Sequence, residues 1–100
     1  AVPNGETVIA INAVAKVVGS KPGKIRMQGH TDSRKFGNVG NGNWQLSVDR
    51  AQSVYFILLR AGLVESRFSE ISGFADRKPI VASDPLADQN RRIEIFLEQT

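Results

Sequence analysis

Cysteine is absent from the 100 residues. Its absence excludes disulfides, thiolate metal sites and a cysteine nucleophile, and leaves the compartment open. Histidine occurs once, so a zinc site would need several carboxylates, and no acidic spacing in the chain supplies them. No apolar run approaches the ~20 residues that span a bilayer. Residues 1–5 show neither the basic start nor the apolar stretch of a secretory signal, so Ala1 reads as a mature terminus or a cut within a longer chain. There is no internal repeat, low-complexity tract or linker. Phosphate-cradling glycine motifs are missing too, because GNVGNG lacks the lysine and the capped helix that such a motif requires.

What remains is the make-up of one ordinary domain. The chain is 41% hydrophobic and 23% charged, and its length allows one modest core. The net charge is +3 and the pI about 9.7. That balance permits an anionic partner, but the basic residues are spread along the chain, where a nucleic-acid footprint would form a denser stripe.

Residues 6–18 read as a helix, with Val8, Ile11, Ala15 and Val18 on one face. KIRMQ at 24–28 alternates as a strand. Residues 30–42 read as a glycine- and asparagine-rich loop, at a length where loops tend to be functional. Residues 44–61 give the strongest helical pattern, with Trp44, Val48, Ala51, Tyr55 and Leu58 sharing a face and Gly62 placed to end it. Strands are expected at 68–74 and 91–98, separated by a proline-containing loop at 77–90. In the last strand Ile93, Ile95 and Leu97 should face inward and Arg92, Glu94 and Glu98 outward. Helix, strand, helix, strand, strand predicts a small mixed sheet with the helices on one face.

Asp32 follows the first strand, where open sheets place ligands, although a turn-forming or capping role fits the position equally. Arg50 lies near the start of the strongest helix, against the macrodipole, which calls for a compensating partner or a site; a salt bridge to Asp49 or Asp32, or a solvated surface charge, is the alternative. A carboxylate and a guanidinium together suit a zwitterion, holding its ammonium and its carboxylate. Asn43 and Ser47 bracket the helix start, and an N-cap is the plainer role for Ser47. Alternation sends Arg91 and Arg92 to opposite faces. His30 reads as a packing or loop residue. His30, Asp32 and Ser33 lie too close in one loop for a nucleophile–base–orienter geometry, so no catalytic residue is assigned.

GHTD at 29–32, N-x-x-L-S-x-x-R-A at 43–51, GFAD at 73–76 and NRRIEI at 90–95, in this order, resemble the OmpA-like peptidoglycan-binding domain across nearly the whole chain. The long insert before the second helix and the pair Asn43-Trp44 are most similar to the flagellar motor stator branch of that family, the MotB type. The resemblance implies an α+β sandwich of the βαβαββ type, two main helices on one face of a small mixed sheet, with the family's first strand lying before Ala1. It implies a non-catalytic domain without cofactor or metal that binds the diaminopimelate of the peptidoglycan stem peptide. Asp32 would take the ammonium and Arg50 the carboxylate; Thr31, Asn43 and Leu46 would line the pocket, and Arg91 would add a contact. It also implies a periplasmic homodimer, joined through its missing amino-terminal part to a membrane-embedded stator partner. The alternatives are the tail of an outer-membrane porin or a Pal-type lipoprotein, a nucleic-acid-binding module, and a wall hydrolase, for which no nucleophile or acid pair is visible.

Overall fold

The computed structural model describes residues 5–34 and 42–98. Helix α1 spans Gly5–Gly19, strand β1 Lys24–His30, helix α2 Gly42–Arg60, strand β2 Phe68–Gly73 and strand β3 Arg92–Glu98; short 3-10 turns occupy Glu65–Arg67 and Asp88–Asn90. The architecture is α+β. β1 is the central strand of a three-stranded sheet ordered β2-β1-β3, parallel to β2 and antiparallel to β3. A parallel neighbour needs a long crossover, which α2 supplies, and β3 returns antiparallel after the 77–90 loop.

The register sorts the two faces of the sheet. Met27 lies opposite Ile71 and Ile95, and Ile25 opposite Leu97. These residues form the helix-facing side, where Ile11, Ala15 and Val18 of α1 and Val54 and Leu58 of α2 complete the core. Ile25 and Met27 are fully buried. The other side carries Arg26, Gln28 and His30 of β1 opposite Phe96, Glu94 and Arg92 of β3. There Arg26 lies 4.4 Å over the Phe96 ring and 3.7 Å from Glu98.

Three sequence features fix the helix ends and the seat of α2. Gly62, at φ 108°, ends α2 in a Schellman turn. Its N–H donates to Leu59 O (3.0 Å), and the Leu63 N–H donates to Leu58 O (3.2 Å). The guanidinium of Arg67 gathers the carbonyls of Val18, Lys21 and Gly23 and so closes the end of α1. Gly29 and Gly73 are register partners, and a Cβ on Gly29 would run into the Ser47 carbonyl and one on Gly73 into the Ser47 hydroxyl. Their bareness lets the amino-terminal half of α2 lie directly on the sheet.

Several expectations are corrected. Trp44 is 43% exposed and belongs to the surface, with the Arg77 guanidinium 5.4 Å over its ring. Ser47 is fully buried inside α2, which begins at Gly42, so it is no N-cap. His30 is the last residue of β1 and not part of the loop. Most of the glycine-rich loop, residues 35–41, and the segment before Gly5 lie outside the described residues, and so do the expectations attached to them.

Candidate binding site at one end of the sheet

The carboxyl ends of β1 and β2, the amino end of β3 and the first half of α2 meet at one end of the sheet. Ser47 ties three of these together. Its Oγ donates to Trp44 O (2.8 Å) and accepts the Ala75 N–H (3.1 Å). Ala75 adopts φ 54°, a left-handed conformation that a non-glycine residue takes only when its surroundings hold it there. The Ala75 carbonyl accepts the Thr31 N–H at 2.8 Å, while Phe74 N–H donates to Gly29 O at 2.9 Å. The turn after β2 thus fixes where the chain goes as it leaves β1, and Thr31 and Asp32 are placed by it.

A second anchor comes from the loop before β3. Asn90 is fully buried. Its side-chain oxygen accepts Val81 N–H (2.8 Å), and its amide donates to the Asp84 (3.0 Å) and Pro85 (3.3 Å) carbonyls. This fastening holds Pro85 O where it accepts the Ser33 N–H at 2.9 Å. Residues 31–34 are therefore gripped from both sides.

Between these anchors lies the Asp32 carboxylate, its side chain 5% exposed. Oδ1 accepts the Arg34 N–H at 2.9 Å in a local turn. Oδ2 has no hydrogen-bond partner among the described residues, and neither has the buried Thr31 Oγ1 beside it in sequence. The charges that reach Oδ2 do so loosely: Arg91 Nε at 3.4 Å and Arg34 Nε at 3.8 Å. Both guanidiniums extend onward to one oxygen of Asp88, Arg91 Nη2 at 2.8 Å and Arg34 Nη2 at 3.4 Å. The cluster is a ring of two acids and two bases, with a sum of charges of zero.

The expected site residues are placed unequally around this ring. Asp32, Thr31 and Arg91 are brought together. Asn43, Leu46 and Arg50 lie half-buried along the first turns of α2. Arg50 forms no ion pair with Asp32, Asp49 or any other described residue, so the salt bridge weighed for it is not made. Arg91 and Arg92 diverge as alternation requires: Arg92 turns to Glu94 at 2.6 Å and to the Lys78 carbonyl at 2.8 Å. Arg34 and Asp88 were not singled out from the sequence. The signal for Arg34 was its place two residues after Asp32; Asp88 gave none, because only folding brings it near.

His30 closes the site on its outer side. It is 1% exposed, stacked on Phe74 (centroids 5.4 Å, interplanar angle 10°), with Nε2 3.7 Å from Glu94. Burial above all, then the nearby Arg92 charge, push its pKa below 6.5; Glu94 opposes the shift and Lys78 adds to it. Neither ring nitrogen finds a hydrogen bond among the described residues. A separate groove of about 580 Å³ lies away from this cluster, against β2 and the second half of α2, lined by residues such as Tyr55, Phe68 and Glu70.

A buried acid faced by exposed guanidiniums thus lies at the mouth of the parallel strands of an α+β domain. The family model for OmpA matches residues 4–92, and the chain belongs to the OmpA family. The flagellar export/assembly protein LafU of Escherichia coli O44:H18 is 39% identical over 84 residues, covering 84% of this chain and 27% of that protein. The C-terminal domain of Helicobacter pylori MotB superposes with a TM-score of 0.83 at 23% identity, covering 98% of this chain and 77% of that one. The cell wall anchor of the type VI secretion system from Pseudomonas aeruginosa superposes with a TM-score of 0.75 at 29% identity, covering 95% of this chain and 69% of that one. The chain spans 27–40% of the length of the proteins it matches in sequence. No helix among the described residues is long and apolar enough to cross a membrane.

Proposed function

We propose that this domain binds peptidoglycan without cleaving it, through the diaminopimelate of the stem peptide, and so anchors a flagellar motor stator to the cell wall. The observation that carries the reading is Asp32: a buried carboxylate, one oxygen of which has no hydrogen bond among the described residues, facing side chains exposed enough to yield to a guest. An ammonium placed at Oδ2 would supply that missing bond. Arg50 is half-buried and has no ion pair among the described residues; it stands on α2 one turn beyond Ser47 and would take the carboxylate of the same zwitterionic centre. Thr31 offers a second oxygen without a partner among the described residues, Asn43 and Leu46 contribute the polar and apolar walls, and Arg91 faces Asp32 from the start of β3. The likeness to a periplasmic domain of Helicobacter pylori MotB and to a cell wall anchor supports a periplasmic role at the wall; the homodimer and the tether to a membrane-embedded partner belong to the proposal. Two copies would hold the wall better than one by effective concentration.

The test is co-sedimentation with purified diaminopimelate-containing sacculi. Asp32→Ala should abolish pelleting and leave the thermal midpoint unchanged or raised. Arg50→Lys keeps the charge and loses the planar fork, so affinity should fall about tenfold, the loss of one charge-assisted bond. Undiminished pelleting of Asp32→Ala removes the ammonium role and the reading with it.

A further inference from the structure

The two acids in the charge ring are not equivalent. The Asp32 side chain is 5% exposed and held by the Arg34 N–H, whereas the Asp88 side chain is 68% exposed. Among the described residues the Asp88 carboxylate touches only the two guanidiniums, Arg91 at 2.8 Å and Arg34 at 3.4 Å. The backbone beneath it is fixed independently, since Asp88 O accepts the Arg91 N–H at 3.0 Å and the buried Asn90 pins the preceding loop. Asp88 can therefore leave the arginines by changing rotamer, with no movement of the loop. It is an acid on a rigid mount with a removable grip.

The geometry points to Asp88 as a built-in competitor: its carboxylate fills, across Arg34 and Arg91, a subsite for a carboxylate of an incoming acidic peptide, and the guest enters by displacing it. Charge balance favours this order. An ammonium arriving alone meets two guanidiniums in front of Asp32. A carboxylate that replaces Asp88 keeps the ring neutral and leaves the arginines drawn toward the guest, which opens Asp32 to a cation on the same molecule. The subsite adds Arg34 to the binding residues and selects for guests with an acid near the ammonium. The inference rests on the peptidoglycan reading for the source of the guest, and on the ring geometry alone for the subsite.

The experiment follows the Nε–Hε signals of the arginines by NMR while titrating glutarate as the carboxylate probe, with glutaramide as a neutral control, and runs sacculus co-sedimentation in parallel. Glutarate should shift Arg34 and Arg91, whether or not Arg50 responds as the second carboxylate site, and glutaramide should shift none. Asp88→Asn should bind glutarate about two- to fivefold more tightly, the range set by loss of weak, exposed ion pairs to Arg34 and Arg91. Asp88→Ser should do the same if the asparagine amide itself perturbs the loop, and Arg34→Gln in the Asp88→Asn background should remove the gain. Equal or weaker binding by both Asp88 variants, or shifts confined to other arginines, overturns the competitor. If glutarate behaves as stated but sacculi do not retain the protein, the wall-binding function falls and the subsite stands. If sacculi retain the protein and neither Asp88 variant gains in either assay, the reverse holds.

Discussion

Replacing Ser47 by alanine removes one oxygen from the place where α2, the turn after β2 and the end of β1 are joined. Trp44 O loses only a supplementary donor. Ala75 loses the one acceptor its N–H has among the described residues, at a residue 4% exposed. An orphaned buried donor costs roughly 1–3 kcal/mol, and for a 60–100-residue domain each kcal/mol moves the midpoint by about 4–8 °C. The expected fall is therefore about 5–20 °C, read by circular dichroism. The same variant should accelerate hydrogen exchange at the Ala75 amide and, through the Ala75 O to Thr31 N–H bond, at Thr31. Exchange in the core strand residues Ile25 and Met27 should change only by the global loss of stability. Sacculus binding should weaken as well, because Thr31 and Asp32 are placed by that turn. A midpoint within about 2 °C of the parent, with Ala75 still protected, would show that the left-handed turn holds itself and that Ser47 is only a filler.

Gly29→Ala places a Cβ against the Ser47 backbone, whose carbonyl carbon stands at 3.0 Å, and against Ala51 Cβ at 3.4 Å. Neither can step aside without moving α2, so a loss of about 1–3 kcal/mol in urea unfolding is expected. Gly19→Ala, whose Cβ would meet Leu63 Cδ2 at an ordinary 3.5 Å at the end of α1, should instead gain about 0.4–1 kcal/mol by restricting the unfolded chain. The sign of the His30 contribution follows from its lowered pKa. As pH falls, the unfolded chain takes up the proton first, so stability is complete above about 6.5 and declines as pH drops from there to the folded pKa, then levels off. Urea midpoints between pH 8 and 5 should show this decline, and His30→Gln should remove it; an unchanged slope in the variant would assign the effect to other groups.

Most of the fold was legible in the sequence because its signals are local. The 3.6-residue spacing of Ile11, Ala15 and Val18, the alternation of Ile93, Ile95 and Leu97, and the terminating Gly62 each act within a few residues of chain. The failures share one cause. Trp44 obeys the helical period but falls at the rim of α2, where burial depends on what lies across from it. Ser47 looked like a cap because serine favours caps; it is buried because two register-paired glycines, Gly29 and Gly73, make room for it, and pairing between residues 44 apart is invisible in a single sequence. The site divides the same way. Asp32 was singled out by its position after a strand and lies in the charge ring; Arg50, singled out by its conflict with the helix dipole, makes no ion pair with it, and Asp88 and Arg34 joined the ring only when a loop fastened by Asn90 packed against the end of β1.

The unpaired atoms at this end of the sheet bear on why the site exists at all. A stable fold gains nothing from leaving Thr31 Oγ1 and Asp32 Oδ2 buried and without hydrogen bonds among the described residues, since a group so left weighs against folding by about 1–3 kcal/mol. Had Asp32 been kept for structure, its second oxygen would have met an N–H as its first does, and the arginines would approach closer than 3.4 and 3.8 Å. Loosely held charge at a rigid backbone is what a reversible site requires, because the guest's bonds must outweigh those it replaces. For that reason the informative result is the combination expected of Asp32→Ala, lost binding with stability kept or gained. Loss of both together would mark Asp32 as a structural acid and leave the ring without a guest.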